Sequence, residues 1–169
     1  IIPKGMALKL VLLSSNAVEK FQKEVFMTFN TSIRSSTIKL SEEQKRSLKK
    51  MNISNDKFRV HVLQGTTGSG KTIVYFSALK EIINKGFQGL ILLPEIGLTS
   101  QFEKKFLEFF GITPAVWHSG ISKKKKEIIW SGVANGEIKV VIGARSSLFL
   151  PFKKLGLIIV DEEHDQSYK

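Results

Sequence analysis

The chain has 169 residues, 42% of them hydrophobic and 24% charged, which fits one globular domain, or one domain with a small appendage. It has no cysteine, which excludes a disulfide framework, a thiolate metal site and a cysteine nucleophile, and no apolar run of membrane-spanning length, so no membrane partner is expected. The net charge of +11 is uneven, +7 over residues 1–60 and +4 over residues 61–169; it suits a polyanion such as nucleic acid, and equally a surface of solvated lysines.

The N-terminal stretch is apolar, with Met6, Leu8, Leu10, Val11, Leu12 and Leu13, and periodicity leaves strand and short buried helix both open. Ile1-Ile2-Pro3-Lys4 does not have the shape of a secretory signal, since neither a long apolar core nor a small-residue cleavage site comes after it, and the expected location is the cytoplasm. Ser14-Ser15-Asn16 opens a helix-like stretch with Val18, Phe21, Val25 and Phe26 on one face. Residues 28–37 are polar and hydroxyl-rich and read as a linker. A boundary there divides the chain into 1–37 and 38–169. Ser41 and Gln44 then have the spacing of a capping box for a helix through Met51. The Gln44 amide has a second reading, since an amide upstream of a nucleotide site can both donate to and accept from an adenine edge.

Phe58–Gln64 alternates like a strand and leads into Gly65-Thr66-Thr67-Gly68-Ser69-Gly70-Lys71-Thr72. This is the G-x-x-x-x-G-K-[ST] phosphate loop, in its expected setting between a strand and a helix. Glycines let the backbone aim its N–H groups at an anion, and the helix N-terminus adds its positive end. Lys71 brings a full charge to the β- and γ-phosphates, and the Thr72 hydroxyl is placed to hold Mg²⁺.

Ile73, Val74, Phe76, Leu79, Ile82 and Ile83 form the apolar face of that helix, which stops at Lys85-Gly86. Leu90–Leu93 reads as a strand buried on both faces and ended by Pro94. Thr99 or Ser100 caps a phenylalanine-rich helix that stops at Gly111, and its aromatic residues read as core. Pro114–His118 is the next strand, with Ser119-Gly120 as its loop. Ser122 caps a helix whose first turn is Lys123–Lys126, a run open to both a DNA-backbone and a solvated-face reading. Ile138–Ile142 is a strand with Gly143–Ser147 as its exit loop, and Leu155–Val160 is a buried strand running into Asp161-Glu162-Glu163-His164. Strands alternating with helices predict a parallel α/β sheet of the P-loop (RecA-like) type, with ligands collected at the carboxyl ends of the strands.

Asp161, at such an end, is placed to hold Mg²⁺ together with Thr72, and Glu162 to orient and deprotonate the attacking water. With Lys71 these make the expected catalytic set, and His164 is a candidate for coupling hydrolysis to a neighbouring element. His61 lies within the expected strand before the loop and reads as structural; no histidine pair has helical metal-site spacing.

Leu63–Thr72, Leu93–Thr99, His118–Gly120, Val141–Ser146 and Val160–Asp165 together resemble the primosomal, replication-restart branch of the superfamily 2 DNA helicases, over about residues 38–169. The resemblance implies ATP and Mg²⁺ as cofactors, 3′–5′ unwinding, and service in replication restart, repair and recombination. It makes Gln44 the adenine reader, Gly65–Thr72 with His164 the nucleotide contacts, and Asp161 and Glu162 the hydrolysis pair. Pro94, Glu95, Thr99, His118, Ser119, Gly143, Arg145 and Ser146 would face DNA. Single-stranded and forked DNA are the implied partners, with other primosome or single-strand-binding proteins beside them. Residues 1–37 resemble the tail of a winged-helix-like DNA-binding region. Ile73, Ser100 and Ala144 depart from the family's usual Glu, Pro and Thr. The family's zinc-binding cysteines, second motor domain and arginine finger have no counterpart in this sequence.

In this fold a further strand usually lies between the phosphate-loop strand and the Asp-Glu strand. Without it the sheet is expected to open and leave apolar surface uncovered, and the chain alone is expected to be poorly stable and not to unwind DNA. The rival readings are a fragment that binds nucleotide or DNA without turnover, and a small P-loop kinase, for which no arginine-bearing lid is visible.

Overall fold

A computed structural model of the chain describes residues 39–53, 57–66, 68–94 and 99–162. The expected winged-helix-like tail at 1–37 lies outside them, as do Thr67, Glu95 and His164.

Local chemistry starts and stops each helix. Helix α1 (Glu42–Met51) opens with a reciprocal capping box: Ser41 Oγ accepts the Gln44 N–H at 3.2 Å and Gln44 Oε1 accepts the Ser41 N–H at 2.9 Å. Glu42 and Glu43 at its start and Lys49 and Lys50 at its end match the helix dipole. Helix α2 (Lys71–Asn84) begins directly after Gly70. Helix α3 (Ser100–Phe110) is capped by Thr99 and ends at Gly111, and α4 (Lys123–Ala134) is capped by Ser122. Among the described residues the strands are β1 (Gln88–Leu92), β2 (Ala115–Trp117), β3 (Val140–Gly143) and β4 (Leu155–Val160). Arg145–Phe149 form a short 3-10 helix, which takes in residues 145–147 of the expected exit loop.

The four strands make one parallel sheet in the order β2-β3-β1-β4. Leu90 stands between Val141 on one side and Ile158 on the other. Strand periodicity sends alternate residues to two cores. Ile91, Leu93, Val140 and Ile142 pack with Phe76 and Leu79 of α2 and with Phe106, Phe109 and Phe110 of α3. Leu90, Leu92, Trp117 and Val141 pack with Ile129, Trp130 and Val133 of α4. The result is a helix–sheet–helix sandwich, with α1 resting on α2. The phenylalanines of α3 are core, as expected: Phe106 and Phe110 stack at 4.3 Å, and Phe76 meets Phe106 edge-on at 5.6 Å.

Gln88 is fully buried in β1, yet every polar atom of its amide is used. Its Nε2 donates to the carbonyls of Val133 and Ile138 at 3.1 and 2.7 Å, and its Oε1 accepts the Lys154 N–H at 3.0 Å. One side chain thereby ties the end of α4 and the starts of β3 and β4 to the centre of the sheet.

Two expectations fail, for one reason. Phe58–Gln64 forms no strand: it pairs with no other described residue, and Phe58, Val60 and Val62 are 92%, 76% and 80% exposed. His61, expected inside that strand, is exposed as well. Strand β4 is not buried on both faces. Leu157 and Ile159 pack against the α2–α3 core, but Ile158 and Val160 are 45% and 47% exposed. A strand needs a ladder partner. Both sides of β1 are taken by β3 and β4, and among the described residues nothing fills the far side of β4. Among the described residues, the outer edge of β4 is therefore without a ladder partner, and Ile158 and Val160 are left uncovered.

Candidate functional site

The phosphate loop is built by two left-handed glycines. Gly68 and Gly70 have φ of +82° and +81°, a region other L-residues seldom enter. Gly70 is the residue from which α2 starts, with the Ile73 N–H bonded to its carbonyl at 3.0 Å. Inside the turn the Ser69 N–H reaches the Thr66 carbonyl at 3.1 Å. Lys71 folds back over the loop and donates from Nζ to the carbonyls of Gly65 at 2.5 Å and Thr66 at 3.2 Å. Among the described residues the only ion pair is Lys45 with Glu42, so this ammonium has carbonyl partners and no carboxylate there. A cation held by neutral groups at a helix N-terminus suits an incoming phosphate. Gln44 serves its capping box, and its Nε2 also lies 3.4 Å from the Ser69 carbonyl. The amide expected to read adenine thus sits against the phosphate loop, with its oxygen already used by the cap.

The acidic end lies beside this loop. Strand β4 runs parallel to β1, and the ladder continues through the Asp161 N–H, bonded to the Leu92 carbonyl at 3.1 Å. The Asp161 carboxylate is held twice. Oδ1 accepts the Glu162 N–H at 3.0 Å, and Oδ2 accepts the Tyr75 hydroxyl at 2.7 Å. Tyr75 belongs to the second turn of α2, so the helix launched by the phosphate loop and the strand that ends in Asp161 meet at one rim of the sheet. Burial first, and the Asp161 carboxylate next, push the Tyr75 phenol far above its ordinary range, so it stays protonated and donates. Glu162 is exposed and has a left-handed φ of +53°, one of two non-glycine residues so placed among those described. Tyr75 is not among the site residues that the sequence suggests. The signal for it is its spacing of three from Thr72, which puts both on one helix face.

Of the expected DNA-side residues, those described lie at the ends of β1, β2 and β3 or in the segments that follow them, and several have local tasks. Pro94 is buried just past β1. Thr99 Oγ1 accepts the Phe102 N–H at 3.3 Å as the cap of α3. His118 follows β2 and accepts the Gly120 N–H on Nδ1 at 3.1 Å, while the Ser119 carbonyl accepts from Lys126 Nζ at 3.1 Å. Gly143 is the last residue of β3 rather than the first of a loop; a Cβ there would run into the Trp117 carbonyl and Ser147. Arg145 is exposed and Ser146 half-buried at the start of the 3-10 helix. Among the described residues no group of three or more His, Cys, Asp or Glu forms a metal cluster. Thr72 and Asp161 are instead hard oxygen donors, the type Mg²⁺ takes alongside phosphate oxygens.

Comparison with known proteins gives the chain a family. Residues 31–169 match the DEAD/DEAH box helicase family. The chain is 51% identical over 130 residues to the replication restart protein PriA of Rickettsia felis, covering 77% of this chain and 20% of that protein. It is 41% identical over 132 residues to PriA of Bacillus subtilis, covering 77% of this chain and 16% of that protein, and 43% identical over 130 residues to PriA of Helicobacter pylori, covering 77% of this chain and 20% of that protein. The chain thus spans about a fifth of the length of the curated relatives it matches. With a parallel α/β sheet, a phosphate loop and an Asp-Glu strand end at one rim, and a match over most of its length, the chain belongs to the DEAD/DEAH box helicase family.

Proposed function

We propose that this helicase motor segment binds and hydrolyses ATP in a 3′–5′ DNA helicase of the replication-restart type, working in the cytoplasm on single-stranded and forked DNA. One observation carries the reading: the Tyr75–Asp161 bond joins the helix of the phosphate loop to the acidic strand end. Lys71 leaves its two carbonyls for the β- and γ-phosphates, and the N–H groups around Gly68–Gly70 take the remaining phosphate oxygens. Thr72 and Asp161 are the residues that would hold Mg²⁺, which when bound neutralises charge on the phosphates. Glu162 orients the attacking water and accepts its proton. Gln44 meets the adenine, and His164 couples the site to a neighbouring element. Pro94, Glu95, Thr99, His118, Ser119, Gly143, Arg145 and Ser146 line the DNA side, with Arg145 as a phosphate contact. Other primosome or single-strand-binding proteins are further partners of the complete motor.

A second reading has its own support. Among the described residues, the outer edge of β4 and residues 57–66 have no ladder partner, which leaves the approach to the phosphate loop without a sheet to brace it. On that ground the chain alone binds nucleotide or DNA without turnover and does not separate strands. ATPase activity with and without single-stranded DNA, run beside a strand-separation assay, tests both parts. Hydrolysis abolished by Lys71→Ala supports the motor site, whereas phosphate transfer to a small molecule, or hydrolysis indifferent to that change, refutes it. Robust unwinding by the chain alone refutes the second reading.

A further inference from the structure

We propose that Tyr75 is a positioning residue of this site: its hydroxyl, on the face of α2 that carries Thr72, holds the Asp161 carboxylate where Thr72 and Asp161 can share one hard cation. The inference deepens the ATP-site reading and rests on it.

Four observations carry it. The bond is short, 2.7 Å, and joins residues 86 apart in sequence, so it fixes α2 against the end of β4. Thr72 and Tyr75 are three apart in α2, a spacing that sets them on one face of the helix. The Tyr75 ring is itself fixed: it is 7% exposed and meets the Phe76 ring edge-on at 5.2 Å. The other Asp161 oxygen is occupied by the Glu162 N–H, so the two bonds together define the carboxylate's orientation. Strand β4 is the sheet edge among the described residues, which leaves Tyr75 the side chain that tethers Asp161 from within the fold. A hydrogen bond to a ligating carboxylate orients it, and losing such a partner commonly weakens metal affinity by about tenfold or more.

The simpler role for a buried tyrosine is to satisfy its own hydroxyl, and the test separates the two. Binding of a fluorescent ADP analogue to the chain is measured with Mg²⁺ and with EDTA. The ratio of the two affinities within one preparation cancels any change in the folded fraction. Tyr75→Phe is expected to lower the Mg²⁺ enhancement by about tenfold while leaving the EDTA affinity within about twofold. Asp161→Asn should lower the same ratio, and the double variant should be no worse than Asp161→Asn alone, since both act through one carboxylate. An unchanged enhancement in Tyr75→Phe, an equal loss in both arms, or additive losses in the double variant would overturn the proposal. Failure of the unsubstituted chain to bind in either arm overturns the ATP-site reading itself, an outcome distinct from any effect of Tyr75.

Discussion

The two glycines of the phosphate loop look alike in sequence and differ in their surroundings. Both have positive φ, but a Cβ on Gly68 would enter open space, whereas one on Gly70 would collide with the Gln44 amide. Gly68→Ala should therefore cost only the conformational penalty, about 1–2 kcal/mol, and Gly70→Ala more, because Gln44 must also move. Urea unfolding of the two variants checks the order. Glu137 offers a pH test. Burial raises its carboxyl above the ordinary range, and its Oε2 is buried without a hydrogen bond. The folded state then holds the proton more tightly than the unfolded state, so this group's contribution to stability is present at low pH. It is lost as pH rises through the raised folded value. Glu137→Gln should accordingly stabilise the chain more at pH 7.5 than at pH 4, and urea midpoints at the two pH values measure the difference.

At the scale of elements, each cap is a local contract between residues three apart. Thr99 and Ser122 accept the N–H groups of Phe102 and Lys125, both at 3.3 Å, at the starts of α3 and α4. Thr99→Ala and Ser122→Ala should each cost about 1 kcal/mol of stability, read from thermal or urea unfolding. Helix α4 also starts with four lysines against the positive end of its dipole. Lys126 is engaged with the Ser119 carbonyl, while Lys123, Lys124 and Lys125 are exposed. Lys123→Glu should raise stability by a few tenths of a kcal/mol at low salt, with the gain fading as salt is added. Loss of single-stranded DNA affinity in the same variant would mark the lysine run as a phosphate contact rather than a solvated face.

Across the whole molecule, stability should be graded from the centre of the sheet outward. Strand β1 is buried along its whole length and paired on both sides; among the described residues β4 is paired on one side only, and residues 57–66 on neither. Hydrogen exchange should be slowest in β1, intermediate in β4, and close to the free-chain rate in 57–66. Protection of 57–66 comparable to β1 would show that the stretch finds a partner strand in solution.

What the sequence determined by itself is whatever rests on neighbours in the chain: the capping box at Ser41 and Gln44, the caps at Thr99 and Ser122, the stop at Gly111, the apolar run at the centre of the sheet, and the phosphate loop with its glycines. These depend on bonds spanning three or four residues and on side-chain periodicity, so local spacing is enough to reveal them. Only the tertiary structure decided which extended segments became strands. Phe58–Gln64 and Leu155–Val160 both alternate or run apolar, yet among the described residues one is unpaired and the other an edge, because a ladder needs a partner that local sequence does not name. The same holds for the bond between Tyr75 and Asp161. Their separation of 86 residues is closed only when α2 packs on the sheet and β4 lies beside β1.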